Sequence, residues 1–425
     1  MKATALSLEE SFARGLDDAD PLASYRHEFE QPRDHAGKPL VYLVGNSLGL
    51  MPRAARALVD QELEDWARLG VDGHMQARTP WYSYHEVFRE TGARLVGARP
   101  GEVVMMNSVT INLHLMLVTF YRPTAERSKV LVEDQAFPSD AYAVATHLAA
   151  RGIDPASRIV TLRPRSGEAA LRTEDIESVL QEQGPEIALV LLGGVNYYTG
   201  QLFELERIAQ AAHRQGALVG YDLAHAAGNV ALSLHDWEVD FAVWCSYKYL
   251  NAGPGAVGGC FVHQRHGRNT ALPRFAGWWG NDPATRFEMR AQFVPREGAD
   301  GWQVSNPPIL GMAPLRASLE LFDRAGMAAL RAKSESLTGY LEALLLGIPE
   351  SPIRILTPSD PAARGCQLSL HVPGGRWLHD RLRAGGIVTD YREPDVVRMA
   401  PVPLYNSYHQ VWRTAQAVRS ALAHG

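Results

Sequence analysis

Of the 42 basic residues in this 425-residue chain, five are lysines: Lys2, Lys38, Lys129, Lys248 and Lys333. Lys248 follows the apolar run Phe241-Ala-Val-Trp-Cys245 and precedes the loop Asn251-Ala-Gly-Pro-Gly255. The C-terminal ends of parallel strands are where α/β sheets bind ligands. Burial there disfavours the ammonium form and prepares an amine for Schiff-base chemistry. The alternative is a lysine that snorkels from a strand end. A second apolar run ends in Tyr221-Asp222, with Asp222 lying 26 residues before the lysine, and continues as Leu-Ala-His225-Ala-Ala-Gly228. Singly, Asp222 also reads as a helix N-cap and His225 as a core histidine. Jointly, an amine and a carboxylate at neighbouring strand ends suit pyridoxal 5'-phosphate (PLP), whose ring becomes an electron sink when an aspartate keeps its nitrogen protonated.

A phosphate needs backbone N–H groups at a helix start. Asn107-Ser-Val109-Thr110 opens the apolar segment Ile111–Phe120 directly after the strand-like Val103–Met106, which makes Thr110 a candidate ligand. Phe137-Pro138-Ser139-Asp140 likewise follows Lys129–Glu133 and precedes a helical pattern, placing an aromatic ring and two capping side chains at the same sheet edge. Without Lys248 and Asp222, both stretches would read as ordinary caps. Gly253-Pro-Gly255-Ala-Val-Gly258 spells G-x-G-x-x-G but leads into a strand, so the dinucleotide-binding context fails. His263-Gln-Arg-His266 lacks neighbouring ligands in sequence and reads as a surface turn; no metal site is expected.

The elements that must position these residues alternate. Val103–Met106, Val130–Val132, Ile159–Leu162, Ile187–Leu192, Leu218–Tyr221 and Phe241–Cys245 are short apolar runs separated by amphipathic stretches such as Ala141–Ala150 and Leu205–Gln215. That pattern predicts an α/β fold with a parallel sheet covered on both faces. Gly152 and Gly216 stand where helix C-caps belong. After Pro307-Pro308, two long helical patterns and strands near Ile353–Leu356, Cys366–Val372, Ile387–Thr389 and Val396–Met399 predict a smaller α+β unit, closed by a helix whose Ser407-Tyr-His-Gln410 fits a capping box. The expected division is an arm at 1–45, a large domain at 46–310 and a small domain at 311–425.

Hydrophobic residues at 46%, charged residues at 21% and a net charge of −5 describe an ordinary globule. Lys and Arg form no stripe, which argues against nucleic-acid or anionic-membrane partners. The longest apolar run, Ile187–Leu192, is far below the roughly 20 residues of a membrane span, and Glu9, Glu10, Asp17 and Asp18 do not suit a signal peptide. A cytoplasmic protein is expected. Cys245, Cys260 and Cys366 are widely spaced and read as buried free thiols.

Eight motifs together carry a resemblance to a known family. They are Gly45-Asn-Ser-Leu-Gly49-Leu-Met-Pro52, Phe137-Pro-Ser-Asp140, Tyr197-Tyr-Thr-Gly200-Gln, Asp222-Leu-Ala-His225-Ala-Ala-Gly228-Asn, Tyr247-Lys248-Tyr-Leu-Asn-Ala-Gly-Pro-Gly255, Gly277-Trp278-Trp-Gly280, Ser305-Asn306-Pro-Pro-Ile309 and Arg398-Met-Ala-Pro-Val-Pro-Leu-Tyr405-Asn406. In that order they resemble the kynureninases over nearly the whole chain. The resemblance implies the aspartate-aminotransferase-like fold, a homodimer with shared active sites, PLP, and hydrolysis of L-kynurenine to anthranilate and L-alanine in tryptophan catabolism. It implies that Lys248 holds PLP through a Schiff base, Asp222 pairs with the ring nitrogen, His225 lies near the phenolic oxygen and Phe137 stacks on the ring. Val109, Thr110, Tyr247, Trp278 and Asn306 would surround the phosphate, the last two donated by the partner subunit. Arg398 would bind the substrate carboxylate, with Ser47, His74 and Ser305 lining the aryl side.

In the implied chemistry, the freed Lys248 amine takes the Cα proton, water adds to the aryl ketone, and the Cβ–Cγ bond breaks with its electrons drawn toward the cofactor. Tyr247 is the candidate proton donor. Met75, the segment Trp81-Tyr-Ser-Tyr-His-Glu86 and Asn281 depart from the family pattern. All three bear on the aryl pocket and leave open the choice between kynurenine and 3-hydroxykynurenine. The rival readings are another PLP enzyme on this fold, an aminotransferase or a desulfurase, and a non-catalytic PLP-binding protein.

Overall fold

The computed structural model describes residues 7–134 and 136–423. Its strands, in chain order, are β1 (Val41–Tyr42), β2 (Val103–Met106), β3 (Lys129–Glu133), β4 (Ile159–Leu162), β5 (Ile187–Gly193), β6 (Leu218–Asp222), β7 (Phe241–Cys245), β8 (Gly258–Val262), β9 (Arg354–Ile355), β10 (Leu368–His371), β11 (Ile387–Val388), β12 (Asp390–Arg392) and β13 (Val396–Met399). Seven of them form the main sheet in the order β2-β8-β7-β6-β5-β3-β4.

The apolar runs have no polar alternation because both faces of this sheet are covered. Val103, Leu131, Val190, Leu192, Ala242 and Trp244 point to one core, shared with the helices Leu205–Arg214 and Ile309–Ala325. Val104, Val130, Leu189, Leu191, Phe241 and Val243 point to the other, under the helices Val109–Phe120 and Pro138–Ala150. β3 to β7 pair in parallel, whereas β8 runs antiparallel to both β7 and β2. The main sheet is thus mainly parallel, as expected. The connection from β7 to β8 contains no helix to carry the chain back across the sheet, so β8 returns in the opposite sense.

β12, β13, β10 and β9 form a second, antiparallel sheet. Its core joins Leu368, Leu370, Val397 and Met399 to Leu337, Leu341 and Val418 of the helices Met327–Leu346 and Tyr408–Ala423. Val41 and Leu43 belong to the same core, and β1 pairs with β11, so the segment read as an arm is stitched into it. The Ser407 capping box forms as expected: Ser407 Oγ accepts from Gln410 N at 3.1 Å, and Gln410 Oε1 accepts from Ser407 N at 3.3 Å.

The His263–His266 segment is not a surface turn. His263 is buried and stacked on His235 at 4.8 Å, and Glu102 joins them in a group close enough to ligate a metal. Glu102, however, already accepts from His235 Nδ1 and from the amides of Arg99 and Gln264, which makes the cluster a structural clasp. Among the described residues, no helix is long and apolar enough to cross a membrane.

Candidate active site

β6 and β7 are parallel neighbours, with Asp222 in register with Val243. Their C-terminal ends therefore bring Asp222 and Lys248 to one cleft. Its walls include Val109, Thr110, Phe137, Ser139, Asp140, Asp222, His225, Tyr247 and Lys248, so most of the residues expected to hold PLP are brought together. Lys248 Nζ lies 3.1 Å from His225 Nε2 and 5.6 Å from the centroid of the half-exposed Phe137 ring. Pro138 does not line the wall; it occupies the first turn of the helix after Phe137, where its missing N–H has no bond to lose. Val109 and Thr110 open the helix that follows β2, and the amides of such a first turn have no partner within the helix.

Electrostatically, the cleft floor is acidic, with Asp222 and Glu133 buried in it. Burial pushes the Asp222 carboxyl up, although a hydrogen bond from the Ala224 amide and the Lys248 charge act in the opposite sense. Burial and the neighbouring Asp222 push Asp140 well up. Burial, together with the Lys248 and Arg398 charges, holds His225 well below the usual histidine range, so the imidazole is neutral. Its Nδ1 is buried, with no hydrogen-bond partner among the described residues. This donor set fits PLP: acidic side chains for a protonated ring nitrogen, helix N–H groups for a phosphate, an amine for the aldehyde and an orphaned imidazole nitrogen beside them.

Two further segments close on the lysine loop. Gly49 N donates to the Tyr247 carbonyl at 2.8 Å, and a Cβ on Gly49 would sit 2.3 Å from the Lys248 carbonyl oxygen, so only glycine permits this approach. Arg398, on β13, is 1% exposed; its Nη1 donates to the Tyr197 carbonyl at 2.5 Å and its Nη2 to Asp390 Oδ2 at 2.6 Å. Its charge reaches His225.

Other expected residues do not line the cleft of their own chain. Ser47, His74, Ser305, Trp278 and Asn306 are exposed, and the His74 ring meets the Trp81 edge at 5.6 Å. Gly277 packs against the Val304 backbone, so Trp278, Ser305 and Asn306 belong to one surface region. Sequence reasoning missed Glu133 and, as a site residue, Tyr197; both line the cleft. Glu133 ends β3 as Asp222 ends β6, and both are buried. Burial pushes its carboxyl up to about 7, and hydrogen bonds from Asn196 and Gly193 oppose that shift.

Solved structures share this fold. The cysteine desulfurase of Thermococcus onnurineus NA1 superposes with a TM-score of 0.76 at 17% identity, covering 91% of this chain and 95% of its own. A C-DES variant with glycine covalently linked to PLP gives 0.77 at 21%, covering 92% and 98%. The fold is therefore the aspartate-aminotransferase-like fold expected from the sequence.

Sequence relatives narrow the fold to a family. The kynureninase of Myxococcus xanthus (strain DK1622) is 60% identical over 405 residues, 95% of either chain, and that of Koribacter versatilis (strain Ellin345) is 54% identical over 417 residues, 98% of either chain. Residues 330–418 match the kynureninase C-terminal domain model. This chain belongs to the kynureninase family, and with that membership go the hydrolase activity on kynurenine and the use of PLP.

Proposed function

We propose that Lys248, Asp222 and Arg398 carry the hydrolytic cleavage of L-kynurenine to anthranilate and L-alanine in this chain, within a homodimer whose sites are shared. The observation that carries the reading is the amine of Lys248 hydrogen-bonded to a neutral, buried His225 in the same cleft as Asp222. PLP, when bound, supplies the electron sink that makes the Cα proton acidic and the Cβ–Cγ bond breakable.

The side chains do the rest. Lys248 anchors the cofactor and, once displaced by the substrate amine, serves as the base at Cα. Asp222 keeps a negative charge at the ring nitrogen, assisted by Asp140. His225, neutral and poor in other partners, holds the phenolic edge. Phe137 covers one face of the ring, with Pro138 and Ser139 shaping its turn, and the helix start at Val109 and Thr110 receives the phosphate. Tyr247, whose ring centroid lies 5.9 Å from Lys248 Nζ, is the proton donor to the released carbon. Arg398 grips the substrate carboxylate. Trp278 and Asn306, exposed on their own chain, complete the partner's phosphate site, while Ser47, His74 and Ser305 face the aryl group. We assign 46–310 to the large domain and 311–425 to the small one, with residues 1–45 docked as an arm, and the cytoplasm as the compartment, where three free thiols stay reduced.

The desulfurase alternative needs a loop cysteine able to reach substrate, and Cys245, Cys260 and Cys366 are all buried. The test is anthranilate release from L-kynurenine, run beside 3-hydroxykynurenine. The aryl preference follows from the ratio of the two kcat/KM values, and no release of either aryl product from PLP-loaded protein would refute the proposal.

A further inference from the structure

Arg398 does not reach its position unaided, and the groups that hold it lead back to a carboxylate the mechanism above does not use. The Tyr197 carbonyl that accepts from Arg398 Nη1 also accepts from Gln367 Nε2 at 3.0 Å. That carbonyl lies in the turn from Asn196 to Gly200. The side chain of Asn196 closes the turn: its Oδ1 accepts from the amides of Tyr198 at 3.0 Å and Thr199 at 2.8 Å and from the Thr199 hydroxyl at 3.1 Å. Asn196 Nδ2 donates to Glu133 Oε2 at 2.7 Å, while Glu133 Oε1 accepts from the Gly193 amide at 3.0 Å. Glu133, Asn196 and Arg398 are each at most 5% exposed. A continuous buried chain of hydrogen bonds thus runs from the end of β3, in the main sheet, to the guanidinium on β13, in the second sheet.

We propose that Glu133 is a positioning residue for substrate recognition: through Asn196 it fixes the turn whose Tyr197 carbonyl sets the orientation of Arg398. This rests on the reading of Arg398 as the carboxylate anchor and extends it. Glu133 supplies two acceptors from one rigid carboxylate, one for the β5 strand end and one for the turn. Without it, Asn196 Nδ2 loses a buried acceptor, the turn gains freedom, and the carbonyl no longer holds the guanidinium at one angle. Substrate binding then loses a pre-set contact, whereas Lys248 and Asp222, on other strand ends, keep their places. Gln at position 133 preserves volume and one acceptor oxygen for two donors, so it repairs the chain only in part.

The test is a double-mutant cycle on the PLP-loaded enzyme with Glu133→Ala, Asn196→Ala, Arg398→Ala and the two double variants that include Arg398→Ala. Cofactor affinity is measured in parallel by titrating the apo-proteins with PLP. Glu133→Ala and Asn196→Ala should each raise KM for kynurenine between about ten- and a hundredfold, with kcat within about threefold of wild type. Glu133→Gln should fall between these values and wild type. In the Arg398→Ala background, either change should cost less than about twofold further, because the group it orients is gone. Fully additive losses, or wild-type KM in both single variants while Arg398→Ala is impaired, would overturn the inference and leave the Arg398 reading standing. A wild-type KM in Arg398→Ala would overturn both. If Glu133→Ala does not fold, Asn196→Ala and Glu133→Gln carry the same comparison.

Discussion

Lys248 Nζ and His225 Nε2 are 3.1 Å apart, and the imidazole is held neutral. If that imidazole accepts from the amine at Nε2, its own proton sits on Nδ1, which has no hydrogen-bond partner among the described residues. Lys248 is thereby pointed into the cleft by a group that does not compete for its proton. Lys248→Ala should abolish the borohydride-reducible link to the cofactor and nearly all turnover. Intact-mass measurement after reduction and an anthranilate assay read the two effects. A variant that still acquires the reduced adduct would show that another amine holds PLP.

Asp222 sits beside Asp140, and burial already disfavours its anion. A ring nitrogen that arrives protonated relieves that cost, so cofactor binding and the charge on Asp222 support each other. Asp222→Asn keeps the shape and removes the charge. A charge-assisted hydrogen bond contributes about 1.5–3 kcal/mol, so the affinity for PLP should fall at least about tenfold in Asp222→Asn and no less in Asp222→Ala. Equal PLP affinity in the wild-type and Asn proteins, measured by titration of the apo forms, would remove the electrostatic role.

How much of this was legible before the structure follows from what each signal encodes. β2 and β7 begin and end where their apolar runs do, because a strand covered on both faces has no polar position to blur its limits. Asp222 and Lys248 could be paired because consecutive strands of such a sheet are usually neighbours. The direction of β8 was not legible, since periodicity reports burial and not strand sense. Glu133 escaped notice because a charge ending an apolar run reads as the strand's solvent edge, whereas its carboxylate is capped by Gly193 and Asn196 and buried. His263 was misread because Glu102 and His235, which enclose it, lie far away in sequence. Trp278 and Asn306 were found by motif, which gives residue type and order in the chain and says nothing of the surface a residue faces.

Exposure of Trp278 and Asn306 outside their own cleft leads to a test of shared sites. Inactive Lys248→Ala and inactive Asn306 variants, unfolded and refolded together, should form heterodimers in which one site carries both lesions and the other neither. Partial recovery of anthranilate release is expected. Heterodimers demonstrated by differential tagging yet devoid of activity would rule out sharing.

His85 lies far from the lysine in sequence and is 2% exposed, and neither ring nitrogen has a hydrogen-bond partner among the described residues. Glu86 and Asp300 face it at 3.9 Å, but burial, reinforced by the charges of Arg89, Arg296 and Arg286, holds it down to about 3. An unfolded histidine titrates near 6.5. Between these values the unfolded chain binds a proton that the folded chain refuses, so stability is complete above about pH 6.5 and declines as pH falls. At pH 5 the loss is about 2 kcal/mol. Thermal melts should show a smaller drop between pH 7 and pH 5 for His85→Gln than for wild type. Parallel curves would show that His85 does not govern acid sensitivity.

Arg398 offers two of its N–H groups to Tyr197 and Asp390 and keeps a buried Nε with no hydrogen-bond partner among the described residues. A substrate carboxylate arriving here meets a guanidinium already oriented, and a fork of parallel N–H donors grips it in a way an ammonium cannot copy. Arg398→Ala removes that grip and strands Asp390, 9% exposed, with Arg392 as its remaining ion-pair partner at 3.3 Å. Two consequences must be separated. Loss of the charge-assisted contact, about 2–4 kcal/mol, should lower kcat/KM roughly 30- to 1000-fold while PLP stays bound and coloured. Loss of the Asp390 pair should lower the melting temperature. Arg398→Lys restores a charge beside Asp390, so the melting temperature should recover most of the way to wild type. Its KM for kynurenine should stay high, because the fork is still missing. If Arg398→Lys instead recovers KM and stability together, charge alone suffices and the bidentate grip is not what selects the substrate.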